Sequence, residues 1–268
     1  MNKIKKISHH YLTLTLLVGA LLFGCDTDNP VETIKLVSSS SREFGEIMLS
    51  NNGSIKIENR IGGIILSGLS NRDTIDYFLY RMVKAETAAK AQERFEDIVL
   101  VSEGKDDTLN CSISAPKNSE YYEFYSSLSL DVPHKVPCTV KSPNLGVTAS
   151  YLDTTLTILN SNGTIDLIKH SGSCDVKTSA GDVSIEIMVP ENGFCRSVTS
   201  SGDIVLNIPT NTSATIYAKT SAGSVTYSNL TITDLVESDG LLTGKLGSAN
   251  GEIHLETENG NIEIIGFD

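Results

Sequence analysis

The 268-residue chain contains no tryptophan, and aromatic residues make up only 6% of it. With 56 Ser and Thr and 21 Gly, this composition does not suit a large helical enzyme core. Basic residues are scarce, 21 against 33 acidic, for a net charge of -12. Without residues 1–24 the balance falls to 18 against 33, or -15. A general nucleic-acid binder needs the opposite sign to meet phosphates. Histidine is nearly absent, with only His134, His170 and His254 beyond the first 24 residues. No two cysteines are spaced as CxxC, so a closely spaced zinc site is not expected, nor is any cofactor. No Ser-His-Asp grouping or G-x-S-x-G elbow is present. Long apolar runs are missing as well. The one apolar stretch, Tyr11 to Phe23, has 13 residues, short of the roughly 20 a membrane-spanning helix needs.

What that stretch does carry is a targeting pattern. Lys3, Lys5 and Lys6 precede it, and Leu22-Phe23-Gly24-Cys25 closes it. The arrangement resembles a bacterial lipoprotein signal with Cys25 as the lipidated residue, although Phe23 is bulkier than usual. The alternative is an ordinary cleaved secretory peptide. Residues 1–24 are then a leader, and residues 25–39 a lipidated Cys and polar tether. The expected location is the bacterial cell envelope, at the outer membrane or cell surface, with the membrane itself a partner through the lipid.

The remaining chain repeats one pattern, a small or polar residue, Gly, a polar residue and an alternating strand. Ala180-Gly181-Asp182-Val183-Ser184-Ile185, Ser201-Gly202-Asp203-Ile204-Val205-Leu206 and Ala222-Gly223-Ser224-Val225-Thr226-Tyr227 are three instances. Alternation turns one side of each strand inward, and glycine supplies a tight corner. Gly181, Gly202 and Gly223 are 21 residues apart. Units of that size, holding two strands and two turns, predict an all-β domain. It reads as a single-stranded β-helix or β-solenoid over residues 40–268. A β-sandwich with hairpins at the Gly turns is the alternative. Val183, Ile185 and Ile187 are expected to stack on Ile204, Leu206 and Ile208, and these on Val225 and Tyr227.

The same register aligns Cys174, Cys195 and Ile216, each seven before its glycine. Adjacent strands lie about 4.8 Å apart, within disulfide range. A Cys174–Cys195 staple is therefore expected, leaving Cys111 with Cys138. Free stacked thiols are the alternative. Residues 87–96, starting as early as Val83, read as a small helical insertion, with Ala88, Ala91 and Phe95 on its core face. Ser38 to Ser41 reads as a flexible or turn-like run. Tyr121, Tyr122 and Tyr125 are the nearest thing to an exposed aromatic patch. It could bind a glycan or protein surface ligand, or pack against the helix.

The Gly-Asp-Val/Ile turns, the Asn-Gly turns at 250–253 and 259–262, the helical stretch and Leu128-Ser129-Leu130-Asp131-Val132-Pro133 resemble the bacterial putative-adhesin family. That resemblance implies a β-solenoid on a cell-envelope protein, with no catalytic residues to carry over. Three functions are therefore expected to compete. The first is a non-catalytic surface binding module or scaffold. The second is a polysaccharide-active β-helix using carboxylates such as Asp175, Asp182 and Asp203. The third is a structural homo-oligomer formed through an uncovered end or face. The Asp182–Asp203 column could solubilise the edge or hold calcium, and His170 and His254 read as solvated polar positions. The finish Ile262–Phe267 could cap the last coil.

Overall fold

The computed structural model describes residues 35–49 and 53–268. Cys25 and the leader lie outside them. Strand follows strand. The chain begins with β1 (Val37–Met48), β2 (Ser54–Asn59), β3 (Gly62–Leu69) and β4 (Thr74–Ala85). After the helix α1 (Ala88–Glu93) come β5 (Val99–Lys105), β6 (Thr108–Ser114) and β7 (Glu123–Pro133). The repeat proper has β8 (Cys138–Ser142), β9 (Val147–Ser150), β10 (Leu156–Asn160), β11 (Ile165–His170), β12 (Cys174–Ala180) and β13 (Val183–Ile187). It continues with β14 (Phe194–Ser201), β15 (Ile204–Pro209), β16 (Ala214–Ala222) and β17 (Val225–Ser228). A hairpin, β18 (Thr233–Ser238) and β19 (Leu241–Leu246), precedes β20 (Gly251–Asn259) and β21 (Ile262–Phe267).

Each coil contributes one strand to an 11-stranded sheet and the next to a 10-stranded sheet, giving an all-β solenoid. The parallel ladders are in register, as in Val183↔Ile204 and Ile165↔Val183. Alternation sends every second side chain into the space between the sheets. Ile165, Val183, Ile204 and Ile262 form one such buried column. Each such side chain contributes about 1.5–3 kcal/mol on burial.

At the corners, a column of glycines takes positive φ, from +110° at Gly163 to +153° at Gly260. A Cβ at Gly202 would lie 2.2 Å from the Gly181 carbonyl oxygen. Both the backbone angle and the close approach therefore require glycine there.

The order of coils departs from the sequence. The last coil, β20–β21, lies between β14–β15 and β16–β17. Ile204 pairs with Ile262, and Ile262 with Val225, so the expected Ile204-on-Val225 stack does not form. The Ile262–Phe267 finish is thus an interior strand, not an end cap. The opposite end mirrors this arrangement, with β2–β3 inserted between β6–β7 and β8–β9.

Antiparallel strands finish both ends. β4 and then β1 extend the 10-stranded sheet, β5 one end of the other sheet, and β19–β18 its far end. Ser38 to Ser41 are part of β1, with Ser39 and Ser41 buried. Val83 and Ala85 belong to β4, paired with Ser39 and Val37, and are buried there. The helix starts only after them, at the N-cap Thr87, whose hydroxyl accepts from the Lys90 amide at 3.2 Å. Among the described residues no helix is long and apolar enough to cross a membrane.

Candidate functional site

The repeat carries chemistry on its outer faces rather than inside. Because the register is constant, one outward position of the 11-stranded sheet becomes a row across coils. Thr139, Thr157, Asp175, Arg196, His254 and Tyr217 occupy successive strands β8, β10, β12, β14, β20 and β16. The inserted last coil brings His254 beside Arg196, a juxtaposition that sequence order does not suggest.

Around this row lies a cleft of about 260 Å³, lined by Asp175, Arg196, His254, Glu252, Phe194 and Cys195. Asp175 Oδ2 accepts from Lys177 Nζ at 2.9 Å, while its Oδ1 is buried without a hydrogen-bond partner. The His254 ring stacks on Tyr217 with centroids 4.9 Å apart. Its Nε2 lies 3.3 Å from Glu256 Oε1, in a geometry that makes no hydrogen bond. Arg196 is exposed between these groups, and Phe194 is partly open at the rim. Donors, acceptors and ring surface therefore alternate at the strand spacing of about 4.8 Å. A second, shallower cleft of about 420 Å³ lies at corner loops around Met188, Glu191, Asn211 and Asn250. It carries one charged group, Glu191, whose Oε1 accepts from Asn250 Nδ2.

The residues singled out from the sequence meet different fates. The three tyrosines have different surroundings. Tyr122 packs beside Phe124 and under Arg94. Tyr125 donates to Glu123, with Lys84 above its ring. Tyr121 is exposed, its hydroxyl hydrogen-bonded to Glu120.

The aspartate column is a backbone device. Asp182 Oδ1 accepts from the Asp203 amide at 2.9 Å, and Asp203 Oδ1 from the Asn261 amide at 2.7 Å. Asn261 Oδ1 in turn accepts from the Ser224 amide at 3.0 Å. One oxygen of each carboxylate thus ties neighbouring coils together, while both side chains stay exposed at the edge. Among the described residues no His/Cys/Asp/Glu group is arranged to hold a metal ion.

His170 is fully buried, against the expectation of a solvated position. The ladder slips between Leu167 and His170, with Lys169 at φ +50°, and the bulge turns the imidazole inward. Its Nε2 lies 3.3 Å from the Ser173 carbonyl, and Nδ1 has no partner. Burial lowers its pKa below the usual imidazole value.

Cys174 and Cys195 are in-register neighbours with sulfurs 3.6 Å apart, present as thiols. Their partner expectation fares differently. Cys111 on β6 and Cys138 on β8 flank β2, opposite Ile57 and Ile55. Two strand spacings put their Cα atoms roughly 10 Å apart or more, beyond disulfide reach. Burial pushes both thiols up to about 12, which leaves them unreactive.

Residues 134–265 match the family model Toastrack DUF4097. No curated protein matches this chain. Among solved structures, a putative cell adhesion protein from Clostridium sporogenes is similar at 14% identity and a TM-score of 0.45. It covers 85% of this chain and 100% of its own. A putative adhesin from Bacteroides fragilis is 12% identical with a TM-score of 0.31, covering 83% of this chain and 96% of its own. Residues 134–265 of this all-β solenoid are thus similar to the Toastrack DUF4097 family.

Proposed function

We propose that this chain is a non-catalytic lipoprotein of the bacterial cell envelope, held by lipid on Cys25, whose solenoid binds a surface ligand across its 11-stranded sheet. The observation that carries this reading is the Asp175–Arg196–His254–Tyr217 row with its cleft. Such a row suits a hydroxyl-rich ligand such as a glycan. Each hydroxyl donates to a carboxylate and accepts from a guanidinium, while ring surface packs against sugar C–H groups. A flat, extended solenoid face offers this contact over several repeats. The leader with Lys3, Lys5 and Lys6, the apolar stretch and Cys25 support the anchor.

A glycan and extracellular-matrix binding screen with the purified protein tests the ligand face. Binding is expected, with at least a tenfold loss in Arg196→Ala and Asp175→Ala and no change in melting behaviour. A blank screen, or unchanged binding in both variants, overturns it. Labelled palmitate should enter the wild-type chain and not Cys25→Ser; equal labelling refutes the anchor.

A further inference from the structure

The four edge strands of the two sheets are not equally protected. Unpaired edge groups invite another strand unless shortness, charge or a bulge blunts them. β17 has only four residues. β5 carries Glu103 and Lys105 exposed. β18 carries Asp234 and Glu237 and has an irregular ladder to β19. By contrast β1 runs for 12 residues, paired without interruption to β4 on one side only. It contains no proline, no lysine and no bulge.

Its outward face also carries two large exposed apolar side chains. Met48 is 72% exposed and Phe44 60%, the two highest values among the exposed large hydrophobic residues described. Phe44 rests on Phe78 of β4 with ring centroids 4.8 Å apart. Arg42 and Glu46 stand two residues to either side of Phe44, on the same face and exposed. Neither makes an ion pair among the described residues.

We propose that a second copy of this chain docks along β1, antiparallel and centred on Phe44, joining the two 10-stranded sheets into one. A two-fold axis at Phe44 sets residue 42 opposite residue 46 and residue 40 opposite residue 48. Arg42 then faces the partner's Glu46, and the pairing occurs twice by symmetry. The two Phe44 rings meet, each backed by Phe78, in a four-ring row that covers the exposed edge. Opposite-charge and aromatic cross-strand pairs both favour this register. The inner side accommodates it, since Gly45 lies opposite the partner's Glu43. A foreign strand, or the chain's own tether folding back, would find no such twofold charge match.

The test uses the full chain in its membrane. Phe44→Cys should form an interchain disulfide under a mild oxidation catalyst, seen as a band of doubled mass on a non-reducing gel. The parent chain and Val99→Cys, on edge strand β5, should not. In detergent, sedimentation should report a dimer whose dissociation constant rises at least fivefold in Arg42→Glu and in Glu46→Arg. The double exchange Arg42→Glu/Glu46→Arg should restore it. All four replaced residues are exposed, and circular dichroism checks that each variant folds. A monomer at all concentrations, no rescue by the exchange, or a cross-linked band of another mass overturns the proposal. None of these readouts involves the Arg196 cleft, so the two proposals fail separately.

Discussion

From β8 to β15 neighbours in sequence are neighbours in space; at the two ends they are not. The middle coils stack as they are made, each corner glycine on the previous one. At the ends the terminal coils β2–β3 and β20–β21 slip inside, each behind one further coil, β6–β7 or β16–β17. The middle thus draws on a local rule, a turn followed by an alternating strand, which any adjacent coil satisfies. The ends have to close a structure whose repeat has no natural stopping point. They do so by sandwiching the terminal coils between two neighbours and finishing with antiparallel strands, which suppresses the fraying common at termini.

The sharpest challenge to this comparison is a matched pair of core truncations. Leu206→Ala lies in the middle region, and Ile264→Ala, its in-register neighbour, in the terminal coil. Both side chains are fully buried. Each should cost about 2–5 kcal/mol in chemical denaturation. A far smaller loss at Ile264 would mean that the last coil frays and the sandwich is not intact in solution.

A smaller effect tests whether the corner rule crosses into the inserted coil. Gly202→Ala and Gly260→Ala both force a Cβ to within about 2.2 Å of a neighbouring carbonyl oxygen, at positive φ. Backbone strain of this kind costs about 1–3 kcal/mol. Equal losses in thermal melts would place both glycines in one continuous column. A neutral Gly260→Ala would separate them.

The side-chain ladder at the corners should be worth less again. Asp203→Ala removes the acceptor for the Asn261 amide, at the junction where the last coil enters. A loss of about 1 kcal/mol is expected, recovered in large part by Asp203→Asn. No loss would mean that the inserted coil is held by its core alone.

The smallest effect belongs to the middle region and depends on pH. Folding holds the buried His170 neutral, below its ordinary pKa of 6.5. The unfolded chain takes up the proton first. The stability held above pH 6.5 is therefore lost progressively as pH falls below it, toward the lower folded value. His170→Gln should flatten that part of the urea-midpoint profile. An identical slope in the variant would assign the pH dependence to other groups.

These tests mark where the sequence was legible. Gly163, Gly181 and Gly202 announce their column because consecutive coils touch and the signal is local. Gly223 has the same 21-residue spacing, yet its neighbour is Gly260. Parallel ladders with equivalent corners do not encode which coil lies next. Nor does β1 declare itself, since Ser38–Ser41 carries little β signal and becomes strand through 12 pairings to β4. The inward turn of His170 depends on a bulge that alternation hides. The outer row is half legible. Asp175 and Arg196 follow from the 21-residue register, but His254 joins them only because its coil is inserted.

Residue order alone specifies the unit, a glycine-cornered pair of alternating strands with an apolar inward face. It also specified the acidic surface, because strand alternation and corner sterics act over a few residues. The order of the coils, the strands that close the ends, and the side chains that share an outer row emerge only on folding. Those depend on long-range pairing, where chemically equivalent ladders compete and packing at the ends selects among them.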